Sequence, residues 1–307
     1  MTTPWKVTDI PSQRDRTMIV TGGSDGLGYQ DALALARAGG DVILAARNPE
    51  RGAAAVAKIR SDVAGANVRF EPLDLANLAS ITAFAGRMRS ERPRLDLLIN
   101  NAGIMAPPHR RTTVDGFELQ FGLNFLGHFA LTAQLLPLLK AGRQPRVVTL
   151  SSFANRSGAI HFEDLQWERH YAPMPAYAQS KLADLMFAFE LQRRGDAAGW
   201  GVTSIAAHPG ISRTNLMPNG AGRTSVMGLV GRLAGPIMFQ PAAQGALPTL
   251  FAATSPEAAP GAYYGPDRLR ETRGNVTLAK IPPQAEKRDV AARLWECAEQ
   301  LTGATFP

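Results

Sequence analysis

From residue 16 onward, short runs that are apolar at nearly every position alternate with longer stretches rich in Ala and Leu. Runs of the first kind fit strands buried on both faces of a parallel sheet, and stretches of the second kind fit the helices that cover it. The predicted strands are TMIVTG (17–22), DVILAAR (41–47), VRFEPLD (68–74), LDLLINNAG (95–103), RVVTLSS (146–152), GVTSIAAHPG (201–210) and GAYYGP (261–266). Helices are predicted near 27–39, 49–64, 77–91, 115–142, 175–195, 241–253 and 283–301. Regular alternation of this kind predicts an α/β fold, a Rossmann-type doubly wound parallel sheet of about seven strands with helices on both faces.

No Pro/Ser-rich linker or repeat interrupts the alternation, so a single domain over 1–307 is the economical reading, with an N-terminal extension at 1–15 and a helix-bearing C-terminal tail at 275–307. Two long connections stand out, at 153–175 and 211–240. Both leave the C-terminal ends of predicted strands, where open parallel sheets bind ligands. The second carries Leu216, Met217, Met227, Leu229, Val230, Leu233, Ile237, Met238 and Phe239. That composition fits an adaptable lid over a hydrophobic substrate, and equally a helix packed on the domain or on a subunit partner in a homo-oligomer.

Composition narrows the classes of function. With 45% hydrophobic and 19% charged residues the chain reads as soluble and globular. No run approaches the length of a membrane span, and the N-terminus lacks the basic-then-apolar layout of a secretory signal, so a cytoplasmic protein without an integral anchor is expected. A single cysteine, Cys297, excludes an internal disulfide and argues against a cysteine-based metal site. The formal charge of +7 comes mainly from scattered arginines, a solvated surface rather than a nucleic-acid footprint, though a small polyanionic ligand suits it. His109, His128, His161 and His170 have no metal-site spacing and read as surface or packing residues, and His208 merely precedes a proline.

The first strand ends in TGGSDGLG, with Gly22, Gly26 and Gly28 in a turn that opens directly into a helix. Glycines there let the backbone approach a pyrophosphate, which meets the free N–H groups and positive end of the helix. Ser24, Asp25 and Leu27 complete this predicted cofactor turn, Asp25 adding a contrary charge. A dinucleotide fold then reads the adenosine ribose at the end of the second strand: an acid there selects NAD, an arginine NADP. Ala46 and Arg47 occupy that place, with Arg51 one turn later, which favours NADP over NAD.

Tyr177 and Lys181, in AYAQSKLADL, lie four residues apart on one helix face. A free phenol titrates near ~10. A neighbouring ammonium favours its ionised form, so the pair suits general acid–base chemistry at a carbonyl or alcohol oxygen.

TGGSDGLG, the LDL at 73–75, the NNAG at 100–103, the Asn of GLNFLGHF, the SS at 151–152, YAQSK and HPGISRT occur in the order found in the short-chain dehydrogenase/reductase family. The chain resembles its single-domain branch, and within it the retinol-dehydrogenase-like and protochlorophyllide-reductase-like members. The resemblance implies a catalytic tetrad of Asn124, Ser152, Tyr177 and Lys181. In it Tyr177 donates or accepts the proton, Lys181 also holds the nicotinamide ribose, Ser152 binds the substrate oxygen, and Asn124 organises a relay water. It further implies cofactor contacts from Asp74 and Leu75 at the adenine, from Asn101, Ala102 and Gly103 along the cofactor, and from Pro209, Gly210 and Thr214 at the nicotinamide and phosphate. The long separation of Ser152 from Tyr177 matches retinol-dehydrogenase-like members. Those enzymes are often membrane-anchored and this sequence shows no anchor helix, which points away from a retinoid. Cys297 lies too far along the chain for protochlorophyllide chemistry.

The expected activity is NADP(H)-dependent hydride transfer to or from the carbonyl or alcohol of an apolar or aromatic small molecule, a carbonyl reductase or alcohol dehydrogenase. The alternatives are C=C reduction or dehydration of a biosynthetic intermediate, and a cofactor-binding sensor or scaffold without turnover.

Overall fold

Strand β1 (Thr17–Thr21) lies inside a single eight-stranded sheet of order β3-β2-β1-β4-β5-β6-β7-β8. The computed structural model describes residues 4–212 and 240–306. Thr214 and the apolar positions from Leu216 to Phe239 lie outside the described residues. The other strands are β2 (Asp41–Ala46), β3 (Val68–Pro72), β4 (Leu97–Asn100), β5 (Arg146–Leu150), β6 (Thr203–Ala207), β7 (Tyr263–Arg268) and β8 (Arg273–Leu278). The first seven run parallel. β1 pairs with β2 on one side and β4 on the other, so the strand order reverses direction at β1. That reversal opens a crevice at the strand ends, the place where doubly wound sheets bind ligands.

The helices are α1 (Gly26–Arg37), α2 (Pro49–Asp62), α3 (Leu78–Glu91), α4 (Gly127–Lys140), α5 (Pro173–Ala197), α6 (Ala242–Gly245), α7 (Leu247–Thr254) and α8 (Arg288–Thr302). Asp25, Asn48 and Asn77 cap the first three, each accepting from a backbone N–H of the first turn. Side chains alternate across each strand, and both faces are covered. β1 sends Ile19 to the face packed by α3, α4, α5 and α8, and Met18 and Val20 to the face packed by α1, α2 and α7. On the first face Phe129, Trp295 and Phe306 form an aromatic cluster with ring centroids 4.5 to 5.1 Å apart, which fastens α8 and the last residues under α4.

The structure corrects the sequence reading in three places. An eighth strand, β8, turns back antiparallel on β7 at the sheet edge, where only a tail was expected. The helix predicted near 115–142 enters through a π-helical turn, Phe121–Leu126, with the Gly127 N–H bonding the Gly122 carbonyl. The segment 241–253 divides into α6 and α7. Phe121–Lys140 is long and apolar enough to cross a membrane by length and composition, and 83% of that window is buried inside the protein, so its apolarity serves the core.

Candidate active site

The glycine turn between β1 and α1 sits against the turn that follows β4. The Asn101 amide donates to the Thr21 carbonyl at 2.7 Å, and a methyl group at Gly28 would fall 2.4 Å from that amide nitrogen and 2.7 Å from the Gly22 carbonyl oxygen. The third glycine is therefore required by close packing of Asn101 beneath the turn. Gly22 and Gly26 hold positive φ and a methyl group at Gly23 would fall 2.7 Å from Leu44, so the turn needs glycine at each, and its place at the start of α1 fits the pyrophosphate of a dinucleotide. Asp25, exposed, accepts from the Gly26 N–H at 2.7 Å and caps the helix.

At the end of β2, Arg47 and Arg51 are both exposed, while Asn48 caps α2 by accepting from the Arg51 N–H. Asp74 accepts from the Ala76 N–H in a tight turn after β3, and Leu75 is buried with its carbonyl close to Gly127. The described cofactor candidates therefore gather around the strand ends.

Tyr177 and Lys181 occupy consecutive turns of α5, and both are buried. The Lys181 ammonium donates to the Leu150 carbonyl at 2.9 Å and to Asp184 Oδ2 at 2.8 Å, which leaves one of its three donors for another partner. A methyl group at Gly103 would come within 3.3 Å of Asn124 Oδ1 and 3.7 Å of Lys181 Nζ, so the turn after β4, the π-helical turn and α5 converge here. Burial by itself disfavours the ammonium. The charges of Asp184 and Tyr177 and the bond to Asp184 outweigh it and hold Lys181 above the usual lysine range. Burial pushes the Asp184 carboxyl up to about 6, with Lys181 opposing that rise.

Asn124 spends both of its amide hydrogens on the protein. Its oxygen accepts from the Ile104 N–H at 2.9 Å, and its nitrogen donates to the Ile104 carbonyl and to Ser180 Oγ. Ser180 in turn donates to the Tyr177 carbonyl at 2.8 Å, which couples Asn124 to the tyrosine's own turn. The two serines after β5 divide their work. Ser151 is buried and donates to the Lys181 carbonyl at 2.6 Å, whereas Ser152 is half-buried and accepts from the Ala154 N–H at the start of a 3₁₀ turn, Phe153–Ser157. Phe153, next in the chain, is 37% exposed, with the Arg156 guanidinium 4.6 Å over its ring.

Three residues were missed or passed over by sequence reasoning. Asp184 is legible only as an i, i+3 partner of Lys181. His128 is fully buried between β1 and Asn124. His208, read as merely preceding a proline, accepts from the Gly210 N–H at Nδ1 and bonds Glu271 at 3.1 Å through Nε2. Burial lowers the His208 pKa although Glu271 resists the fall. Glu271 also pairs with Arg156, so the turn between β7 and β8 ties the loop after β6 to the loop after Ser152.

This crevice, glycine turn and buried Tyr–Lys pair define the class of nucleotide-dependent oxidoreductases. A family model described as short chain dehydrogenase matches residues 16–221. Human retinol dehydrogenase 13 is 44% identical over 302 residues, covering 95% of this chain and 86% of that protein. Mouse polyprenol dehydrogenase is 40% identical over 301 residues, covering 96% and 86%. Among solved structures, an uncharacterized protein from Mycobacterium paratuberculosis matches at a TM-score of 0.82 and 40% identity, covering 99% of this chain and 100% of that one. Pseudomonas aeruginosa RhlG in complex with NADP matches at 0.65 and 25% identity, covering 82% and 94%. The chain belongs to the short-chain dehydrogenase/reductase family, in its retinol-dehydrogenase-like subgroup.

Proposed function

We propose that the protein interconverts a carbonyl and an alcohol on an apolar small molecule with NADP(H) as hydride carrier. The observation that carries this reading is the Tyr177–Lys181 pair, buried at the end of β5 with one ammonium donor unspent. When bound, the nicotinamide supplies or takes the hydride. In the reductive direction Tyr177 donates its proton to the oxygen as negative charge builds there, and the Lys181 cation favours the phenolate that remains. The free Lys181 donor suits a ribose hydroxyl. Ser152, half-buried after β5, orients the oxygen by hydrogen bonding, and Asn124 keeps α5 in register with the turn after β4.

Arg47 and Arg51 support NADP over NAD, because exposed guanidiniums at this place suit a 2′-phosphate and neither Ala46 nor Arg47, at the end of β2, is an acid. Exposed Phe153 beside Ser152 supports an apolar or aromatic substrate. The likeness to retinol and polyprenol dehydrogenases favours an isoprenoid alcohol or its aldehyde, against the expectation from the sequence that pointed away from a retinoid. Incubating the protein with NADPH and a panel of aldehydes and ketones, retinal included, tests this reading. The expected result is NADPH consumption with a product heavier by two hydrogens at the former carbonyl. NADPH binding with no turnover on any of them would favour a sensor.

A further inference from the structure

We infer that His128 is a positioning residue, a spacer that fixes the cofactor turn against the acid–base helix, an inference that rests on the oxidoreductase reading above. The residue is 1% exposed and stands on the first turn of α4, between the end of β1 and the π-helical turn. Its Nε2 lies 2.9 Å from Thr21 Oγ1 and its Nδ1 2.7 Å from the Asn124 carbonyl oxygen.

The hydrogen bonds around Thr21 assign the tautomer. The Thr21 hydroxyl oxygen accepts from the Asn101 N–H at 2.9 Å and from the Ala102 N–H at 3.0 Å, which takes both of its lone pairs. Its hydrogen has two places to go, the Ile99 carbonyl at 3.2 Å or His128 Nε2 at 2.9 Å, and the shorter contact favours the imidazole. Nε2 is then the acceptor, and the Nδ1–H donates to the Asn124 carbonyl. One turn further along α4, Thr132 donates to the His128 carbonyl at 2.7 Å and accepts from the Asn100 amide at the end of β4. Burial, with Lys181 nearby, drives the imidazole pKa down to about 3, against the pull of the Asn124 carbonyl, so the ring is neutral throughout the working pH range.

The two ends of this chain of bonds have different duties. Thr21 precedes Gly22 and carries the Asn101–Ala102 turn, the side that receives the dinucleotide. Asn124 reaches Ile104, and through Ser180 the turn of α5 that bears Tyr177. An apolar residue of similar bulk would fill the space without setting the distance, and displacements of about 1 Å between reacting groups lower rates by up to ~10²-fold. The ring neither touches substrate nor carries a proton in the reaction. It sets where the two halves of the site sit relative to each other.

Asparagine and glutamine place an amide near the positions of Nδ1 and Nε2 respectively, so they separate the two bonds. His128→Asn keeps a donor toward Asn124 and loses the partner of Thr21. It should weaken NADPH binding about tenfold while kcat at saturation falls less than about threefold. His128→Gln keeps the partner of Thr21 and loses the donor to Asn124, and should show the reverse: kcat down about tenfold and NADPH affinity changed less than about threefold. NADPH dissociation constants by fluorescence titration, kcat and melting temperatures are measured on all three proteins. A crossed pattern supports the spacer. Two folded variants that differ from wild type only in melting temperature, or that lower both quantities in equal measure, overturn it. If the wild type binds NADPH and turns nothing over, the oxidoreductase reading fails by itself, and the binding measurements still decide the role of His128.

Discussion

Lys181 and Asp184 form an ion pair 2.8 Å long inside the protein, with both side chains almost fully buried. Breaking one partner of such a pair leaves a buried charge uncompensated, so its presence beside the proposed acid has consequences for chemistry. The Asp184 carboxylate holds the buried Lys181 ammonium charged against desolvation. Asp184→Asn removes that support, so Lys181 loses its proton at lower pH than in the wild type. Turnover should therefore decline from a lower pH on the alkaline side of the alcohol-oxidation profile, by about one unit. The pH dependence of kcat/KM checks this, and an unmoved profile would remove Asp184 from the tuning of the pair.

Arg47→Ala should weaken NADPH binding far more than NADH binding, by about tenfold or more if the guanidinium meets a 2′-phosphate directly. Parallel titrations with the two cofactors read the difference. Equal loss of both would exclude Arg47 from the phosphate site.

Gly210 holds a φ of +64°, and a methyl group there would fall 2.3 Å from the Thr272 carbonyl oxygen in the turn between β7 and β8. Gly210→Ala is thus strained in its own backbone and forces the two loops apart. A stability loss of about 1–3 kcal/mol is expected, together with weaker cofactor binding. Urea denaturation and an NADPH titration on the same preparation measure both effects.

How much of this was legible in the sequence depends on the range of the interaction. Strands buried on both faces show as continuous apolar runs, and a glycine turn closing the first of them shows its purpose locally. Tyr177 and Lys181 sit one turn apart on a single helix. β8 was not legible, because RGNVTL is short, carries glycine and few apolar positions, and becomes a strand only through its pairing with β7. His128 and Thr21 are 107 residues apart, so nothing in the neighbourhood of either announces the bond. His208 owes its partner Glu271 to a turn 63 residues later. The long apolar character of Phe121–Lys140 conceals the π-helical turn at its start, which alters the spacing of its carbonyls without altering its composition.

Buried neutral His128 also makes stability depend on pH. An unfolded histidine takes up its proton near 6.5, whereas His128 in the folded protein does so only at about 3. Between those values the unfolded state binds more protons, so stability falls as pH drops through that window and is regained as pH rises. His208, also lowered by burial, acts in the same direction. On going from about pH 7 to about pH 4.5, wild type should lose about 2–3 kcal/mol more than His128→Gln does. Urea denaturation at the two pH values gives the comparison, and equal losses would contradict a neutral buried imidazole.

The most direct measurement is a paired one on Tyr177→Phe: turnover of NADPH with a carbonyl that the wild type reduces, and the NADPH dissociation constant. Loss of the hydroxyl alone leaves the ring, Lys181 and the glycine turn in place. Turnover should fall by at least about 10²-fold with NADPH affinity nearly unchanged. Turnover at the wild-type rate would contradict proton donation by Tyr177.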